Sequence, residues 1–381
     1  MLGSIWRLWA LTLAVALYAT GVTAAEPEGS NVWNNIKPFF SPPEKYREQY
    51  GNYRDVLKLD DGTPVTSGEQ WGKRREEILA FWHRAMGPWP ELIGSPKIEY
   101  IKKEQVDGFT RHMIHLEIAP KRSQEAYLLV PAGKGPFPAV LVTWYNANES
   151  AGIPNKEGDP LPVVAFGYEL AKRGYVTLCL GGVGGGDVRA ADAKGGIQPL
   201  SFMAYCAANA GNALANLPEV DPSRIGVTGH SFGGKWAMFA SCLCDRFAAA
   251  VWIDPGIVWN EKDSNANYWE PWYLGSEDGK KRKPGIPTPE NPATGAYKAL
   301  FESGHDAHEL HALMAPRPFL VSGGAQDQPE HWVALNHAIR VNRLLGFKDR
   351  VAMTSRDGHQ PTPESKEQMY QFFDCFLKQG K

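Results

Sequence analysis

Apolar positions along this chain follow two rhythms. From about residue 96 they come in short alternating or continuous runs. Residues 111–118 alternate, residues 125–130 follow, and 137–144 is strongly apolar. A period of two predicts strands, at least partly antiparallel in this stretch. Beyond residue 160 the rhythm changes. Apolar residues at helical spacing in 163–173, 200–217, 236–244, 309–314, 332–345 and 364–377 are separated by short buried-strand runs at 175–180, 224–228, 248–253, 317–322 and 350–355. Alternating strands and helices predict an α/β fold with a mostly parallel central sheet flanked by helices.

The first part of the chain has a different character. A helix is predicted over 67–86, with Trp71, Ile78, Leu79 and Trp82 on one side. Arg74, Arg75, Glu76 and Glu77 supply its polar surface, and Gly87-Pro88 ends it. Residues 25–95 are too short to bury much core alone, so they are expected to pack as an extension on a domain spanning 96–381. Before them, Arg7, the apolar stretch 8–18 and Val22-Thr23-Ala24 have the form of a signal peptide over 1–24. That stretch is too short for a comfortable span. The expectation is export, to periplasm or outside, with no membrane association once the signal is removed. Residues 258–303 are too long, and too rich in Pro and Trp, for a simple connection. They predict a lid insertion whose Trp259, Tyr268, Trp269, Trp272 and Tyr273 wall a cleft.

Composition narrows the partners. A hydrophobic share of 43% and a charged share of 22% suit a globular protein with a sizeable core. A net charge of −2 carries no signal for nucleic acid or an anionic membrane. Thirteen tryptophans are a high count; core packing claims most of them, and an excess suits stacking on sugar rings. Five cysteines leave at least one thiol unpaired, and most read as small core residues.

The candidate chemistry centres on Gly229-His230-Ser231-Phe232-Gly233, set between a strand and a helix. Glycines two before and two after the serine relieve a turn tight enough to expose a nucleophile at a helix N-terminus. The N–H of Phe232 then becomes an oxyanion donor. Gly229 to Lys235 also fits the start of a phosphate-binding loop, but Trp236 stands where Ser or Thr would hold magnesium. A serine nucleophile needs a histidine base and an orienting carboxylate on loops after later strands. His359 follows the last strand. Asp327 follows the strand before it and is the favoured acid, with Asp254, at the end of an earlier strand, as the alternative. The loop after residue 144 offers Tyr145 or Asn146 as the second oxyanion donor. His305, His308 and His311 recur every third residue, one short of the usual zinc pair, so no metal is expected and at least one should line the cleft rim. Lys235, on the first turn after the serine, is expected to reach over the rim towards substrate. No cofactor is needed.

These motifs resemble the α/β-hydrolase superfamily and, within it, the bacterial glucuronoyl-esterase-like carbohydrate esterases. Gly229, Ser231, Gly234 and Lys235 are similar to their elbow, and Asp254 stands where many of them place the acid. His308-Glu309-Leu310, Ala315-Pro316-Arg317-Pro318, Asp327 and His359 also resemble that group. The resemblance implies hydrolysis of a carbohydrate-linked ester, with Lys235 and Trp269 contacting a uronic acid. One departure stands out: the family usually has arginine directly after the serine, and here it is Phe232. The rival expectations are a prolyl-oligopeptidase-like peptidase and a non-catalytic sugar-binding protein on the same scaffold.

Overall fold

The computed structural model describes residues 31–182, 196–259, 273–275, 277, 283 and 287–378. The signal-peptide reading of 1–24, and Tyr268, Trp269 and Trp272 of the lid reading, lie outside the described residues. One sheet of nine strands organises the molecule: β1 (Ile98–Val106), β2 (Phe109–Ala119), β3 (Arg122–Pro131), β4 (Phe137–Thr143), β5 (Val176–Leu180), β6 (Val220–His230), β7 (Ala249–Ile253), β8 (Phe319–Ser322) and β9 (Val351–Thr354). Their spatial order is β1-β2-β3-β5-β4-β6-β7-β8-β9. The hairpin strands β1 to β3 are antiparallel to their neighbours, and every pair from β5/β4 to β8/β9 is parallel.

Both faces of the sheet are covered, which is why the middle strands are continuously apolar rather than alternating. Along β4, Leu141 faces one core while Val140 and Val142 face the other. The first core receives the helices Pro199–Ala215, Phe232–Leu243 and Trp332–Leu344; the second receives Phe166–Lys172 and Pro363–Phe373. The N-terminal segment divides between them. Trp33, Ile36 and Phe40 join the second core, and Trp71, Ile78 and Trp82 join the first. All five cysteines are buried, and none forms a disulfide among the described residues.

The helix expected over 67–86 is Gly68–Met86, capped by Ser67, whose hydroxyl accepts from the Gln70 N–H. Arg74 departs from its expected place on the polar surface. It is 3% exposed, paired with Asp60 at 2.7 Å and Glu77 at 2.9 Å, and it faces the buried Glu309 at 3.7 Å. The fully buried helix His308–Leu313 packs there, and periodicity along one helix does not reveal it. Among the described residues no helix is long and apolar enough to cross a membrane.

Candidate active site

Parallel pairing carries β6 and β7 side by side to their C-terminal ends, where Ser231 N–H donates to Ile253 O at 2.8 Å. Ser231 is held at φ 54°, a left-handed conformation that serine seldom adopts. The neighbouring glycines make this turn sterically accessible. A Cβ on Gly233 would lie 2.0 Å from Thr143 O, and one on Gly229 would lie 2.4 Å from Gly233 O. Thr143 ties the same crossing together, its hydroxyl donating to Gly233 O at 2.8 Å. The helix Phe232–Leu243 starts immediately after, so Phe232 N–H is among the first-turn groups with no acceptor inside the helix.

His359 lies on the loop after β9, and its carbonyl is gripped from two sides. Arg356 donates to it at 2.8 Å and His230 Nε2 at 2.9 Å. His230 also stacks on Trp144, with ring centroids 5.4 Å apart. Burial first, and then the nearby His359, push the His230 imidazole down to about 3, so it is neutral. The His359 ring lies 4.5 Å from the His230 ring, beside the residue preceding Ser231. Its Nδ1 is 2.6 Å from Asp254 Oδ2. With Nδ1–H donated to a carboxylate, Nε2 is left as the basic nitrogen.

An open pocket of about 360 Å³ adjoins this corner, lined by Arg122, Gln124, Glu125, Tyr145, Asn146 and Gly182 among others. Half-exposed Tyr145 forms part of its wall and stacks on Phe232 at 4.6 Å. The Tyr273 ring lies 5.4 Å from that of Phe232.

The profile of the prolyl oligopeptidase family matches residues 206–379, the segment that carries the elbow, both aspartates and His359. No curated protein matches the chain by sequence. Among solved structures, a glucuronoyl esterase from Solibacter usitatus is similar with a TM-score of 0.69 at 22% identity, over 85% of this chain and 97% of that one. A glucuronoyl esterase of carbohydrate esterase family 15 from Caldicellulosiruptor kristjansonii gives a TM-score of 0.60 at 21% identity, over 90% and 94%. A putative acetyl xylan esterase from Bacteroides fragilis gives 0.58 at 18% identity, over 79% of each. This chain has the α/β-hydrolase fold.

On this α/β-hydrolase scaffold the expected site residues separate. Ser231, Phe232, Tyr145, His359 and Asp254 gather at one corner. Asp327, the favoured partner of His359, does not meet it. Its two oxygens accept from Gly256 N–H and Ile257 N–H, both at 2.7 Å, and from His331 Nδ1 at 3.0 Å. The carboxylate that reaches the imidazole is Asp254, turned towards it by a left-handed backbone at φ 47°. Asn146 spends its side-chain oxygen capping a short helix, accepting from Asn148 N–H at 3.0 Å.

Lys235 does not reach over a rim. It is 1% exposed and its ammonium donates to Gly256 O at 3.2 Å. Burial drives it well below the usual lysine range, against the opposing charges of Asp327, Asp254 and Asp306. His308 is equally far from a rim. It is fully buried, donating through Nε2 to Arg54 O at 2.9 Å and packing on Tyr53. His305 pairs with Glu309 at 2.7 Å and His311 lies against Trp252, so the three histidines go separate ways. Among the described residues no group of three such side chains is placed to hold a metal. Sequence reasoning passed over Arg356, His230 and His331. The first two flank the loop and the elbow, but only the strand-end packing assigns them to the His359 carbonyl.

Proposed function

We propose that this chain is an exported serine carboxylic-ester hydrolase acting on a carbohydrate-linked ester, of glucuronoyl, acetyl or methyl-uronate type. The observation that carries the reading is the 2.6 Å contact between His359 Nδ1 and Asp254 beside a serine held at φ 54°. Ser231 Oγ attacks the ester carbonyl while His359 Nε2 takes its proton and then delivers it to the leaving alkoxide. Asp254 keeps the imidazole in the productive tautomer and balances the imidazolium that forms. The N–H groups of Phe232 and Tyr145 stabilise the oxyanion, and with phenylalanine after the serine these backbone donors act without an arginine. Water then attacks the acyl-enzyme by the same route in reverse. The pocket beside Tyr145, with one aromatic face and several amide and charged side chains, suits a sugar unit. The esterase neighbours support a sugar-borne ester, and the signal-like 1–24 supports export.

The test is turnover of the purified protein on acetyl, methyl-uronate and glucuronoyl esters, with Ser231→Ala alongside. The wild type should hydrolyse at least one, and the variant should lose on the order of 10⁴-fold or more in kcat. Undiminished turnover by Ser231→Ala would overturn the mechanism. The prolyl oligopeptidase match favours one second reading, a peptidase with the same triad. Peptide arylamides in the panel decide it: Ser231-dependent cleavage of these, with no ester hydrolysis, would move the function there.

A further inference from the structure

Two carboxylates lie fully buried side by side at the ends of neighbouring strands, and each is capped by the loop of the other. Asp254 Oδ1 accepts the N–H groups of Gln326 at 3.0 Å and Asp327 at 2.9 Å. In return the Asp327 carboxylate accepts Gly256 N–H and Ile257 N–H at 2.7 Å each. The exchange is closed. Asp327 could turn towards His359 only by abandoning two buried N–H groups, each of which would then be left unsatisfied. Around this pair lie His331, 3.0 Å from Asp327 Oδ1, and Lys235, which holds the Gly256 carbonyl from the other side. Gly324 allows the close approach, since a Cβ there would stand 2.4 Å from Gly358 O and 2.9 Å from Asp254 Oδ2.

We propose that Asp327, held in place by a hydrogen bond from His331, is a positioning residue that holds the 254–257 turn so that Asp254 meets His359. The proposal rests on the Ser231–His359–Asp254 reading above. Asp254 has a left-handed backbone, a conformation that costs energy for any residue with a Cβ, although aspartate tolerates it better than most. The turn after it is pinned from outside by the Asp327 bridge across the next two N–H groups. The favourable side of His331 agrees with this: burial works against its charge, yet the hydrogen bond and charge of Asp327 raise it above an ordinary imidazole. Losing the bridge frees the Asp254 carboxylate to drift, and a misplacement of about 1 Å costs on the order of 10²-fold in rate.

The experiment measures kcat and KM per reactive serine, counted by end-point labelling with a fluorophosphonate, on a small aryl acetate and on a sugar ester. Asp327→Asn keeps the shape but accepts from only one of the two N–H groups. Its kcat should fall on the order of 10²-fold by the same factor on both substrates, with KM unchanged. His331→Ala should fall in the same direction, while His331→Gln, which keeps a donor for Asp327, should recover most of the loss. A wild-type kcat per labelled serine in Asp327→Asn would leave only a folding role and overturn the proposal. So would a raised KM with unchanged kcat, or a loss in Asp327→Asn exceeding that in Asp254→Asn. If Asp327→Asn does not fold, the two His331 variants decide, and equal kcat in both overturns it. An enzyme that depends on Ser231 yet ignores Asp327 and His331 sinks the clamp alone; one indifferent to Ser231 sinks the triad reading beneath it.

Discussion

A carboxylate orients an imidazole only if its own lone pairs are committed elsewhere. Asp254 meets that condition: one oxygen takes two backbone N–H groups and the other takes His359. Amidation would present an N–H where His359 needs an acceptor, forcing the ring into the wrong tautomer. Asp254→Asn is therefore expected to lower kcat on the order of 10⁴-fold with little change in KM. A steady-state comparison with Asp327→Asn checks the ranking, since the clamp should cost less than the orienting group. The same loop carries a second grip, because Arg356 and His230 converge on the His359 carbonyl and leave its ring free to face the serine.

At the scale of elements, the helix Gly68–Met86 is joined to the helix His308–Leu313 through one buried carboxylate. Glu309 accepts from Trp82 Nε1 at 3.0 Å and His305 Nδ1 at 2.7 Å, and it faces Arg74 at 3.7 Å and Arg54 at 3.6 Å. Burial favours the neutral acid, but these donors together hold the Glu309 carboxyl below its ordinary value. Glu309→Leu would strand the Trp82 N–H and leave Arg74 with only its outer partners. Removing one member of such a buried pair costs about 3–5 kcal/mol. Urea denaturation should show that loss as a lower midpoint with an unchanged slope. A loss below about 1 kcal/mol would place the junction among weak surface pairs.

Across the whole molecule, buried titratable groups set opposing slopes of stability with pH. Burial holds His308 down to about 4 and His230 down to about 3, both below the ordinary 6.5. The unfolded chain therefore binds more protons than the folded one below pH 6.5, and stability falls as pH drops through that window. Asp306 has the opposite sign. Burial lifts it to about 7 from 3.8, against the N–H groups of Trp259 and Ala307. The folded chain holds that proton longer, so its contribution is complete below 3.8 and is lost as pH rises through 7. Asp306→Asn, which keeps an acceptor and does not titrate, should flatten this decline. Tm measured at about pH 5 and about pH 8 should fall less in the variant than in the wild type, and an identical fall would refute the assignment.

The elbow was legible because its demands are local. Gly229 and Gly233 lie within two residues of Ser231, and the clashes they avoid are with backbone that any strand-turn-helix brings there. Strand order placed His359 for a similar reason: in parallel sheets the loops after successive strands emerge at one edge. That logic could not choose between Asp254 and Asp327, since both end strands at that same edge. The choice came from the left-handed turn at Asp254 and the approach of Gly358 to Gly324, contacts between segments some distance apart in the sequence. Lys235, His308 and Arg74 follow the same rule. Spacing told which turn of a helix each occupies, but the element packed against that turn decided that each is buried and what it must pair with. Short-range sterics are written in neighbouring residues; the partner of a buried charge is set only when distant strands and helices close around it.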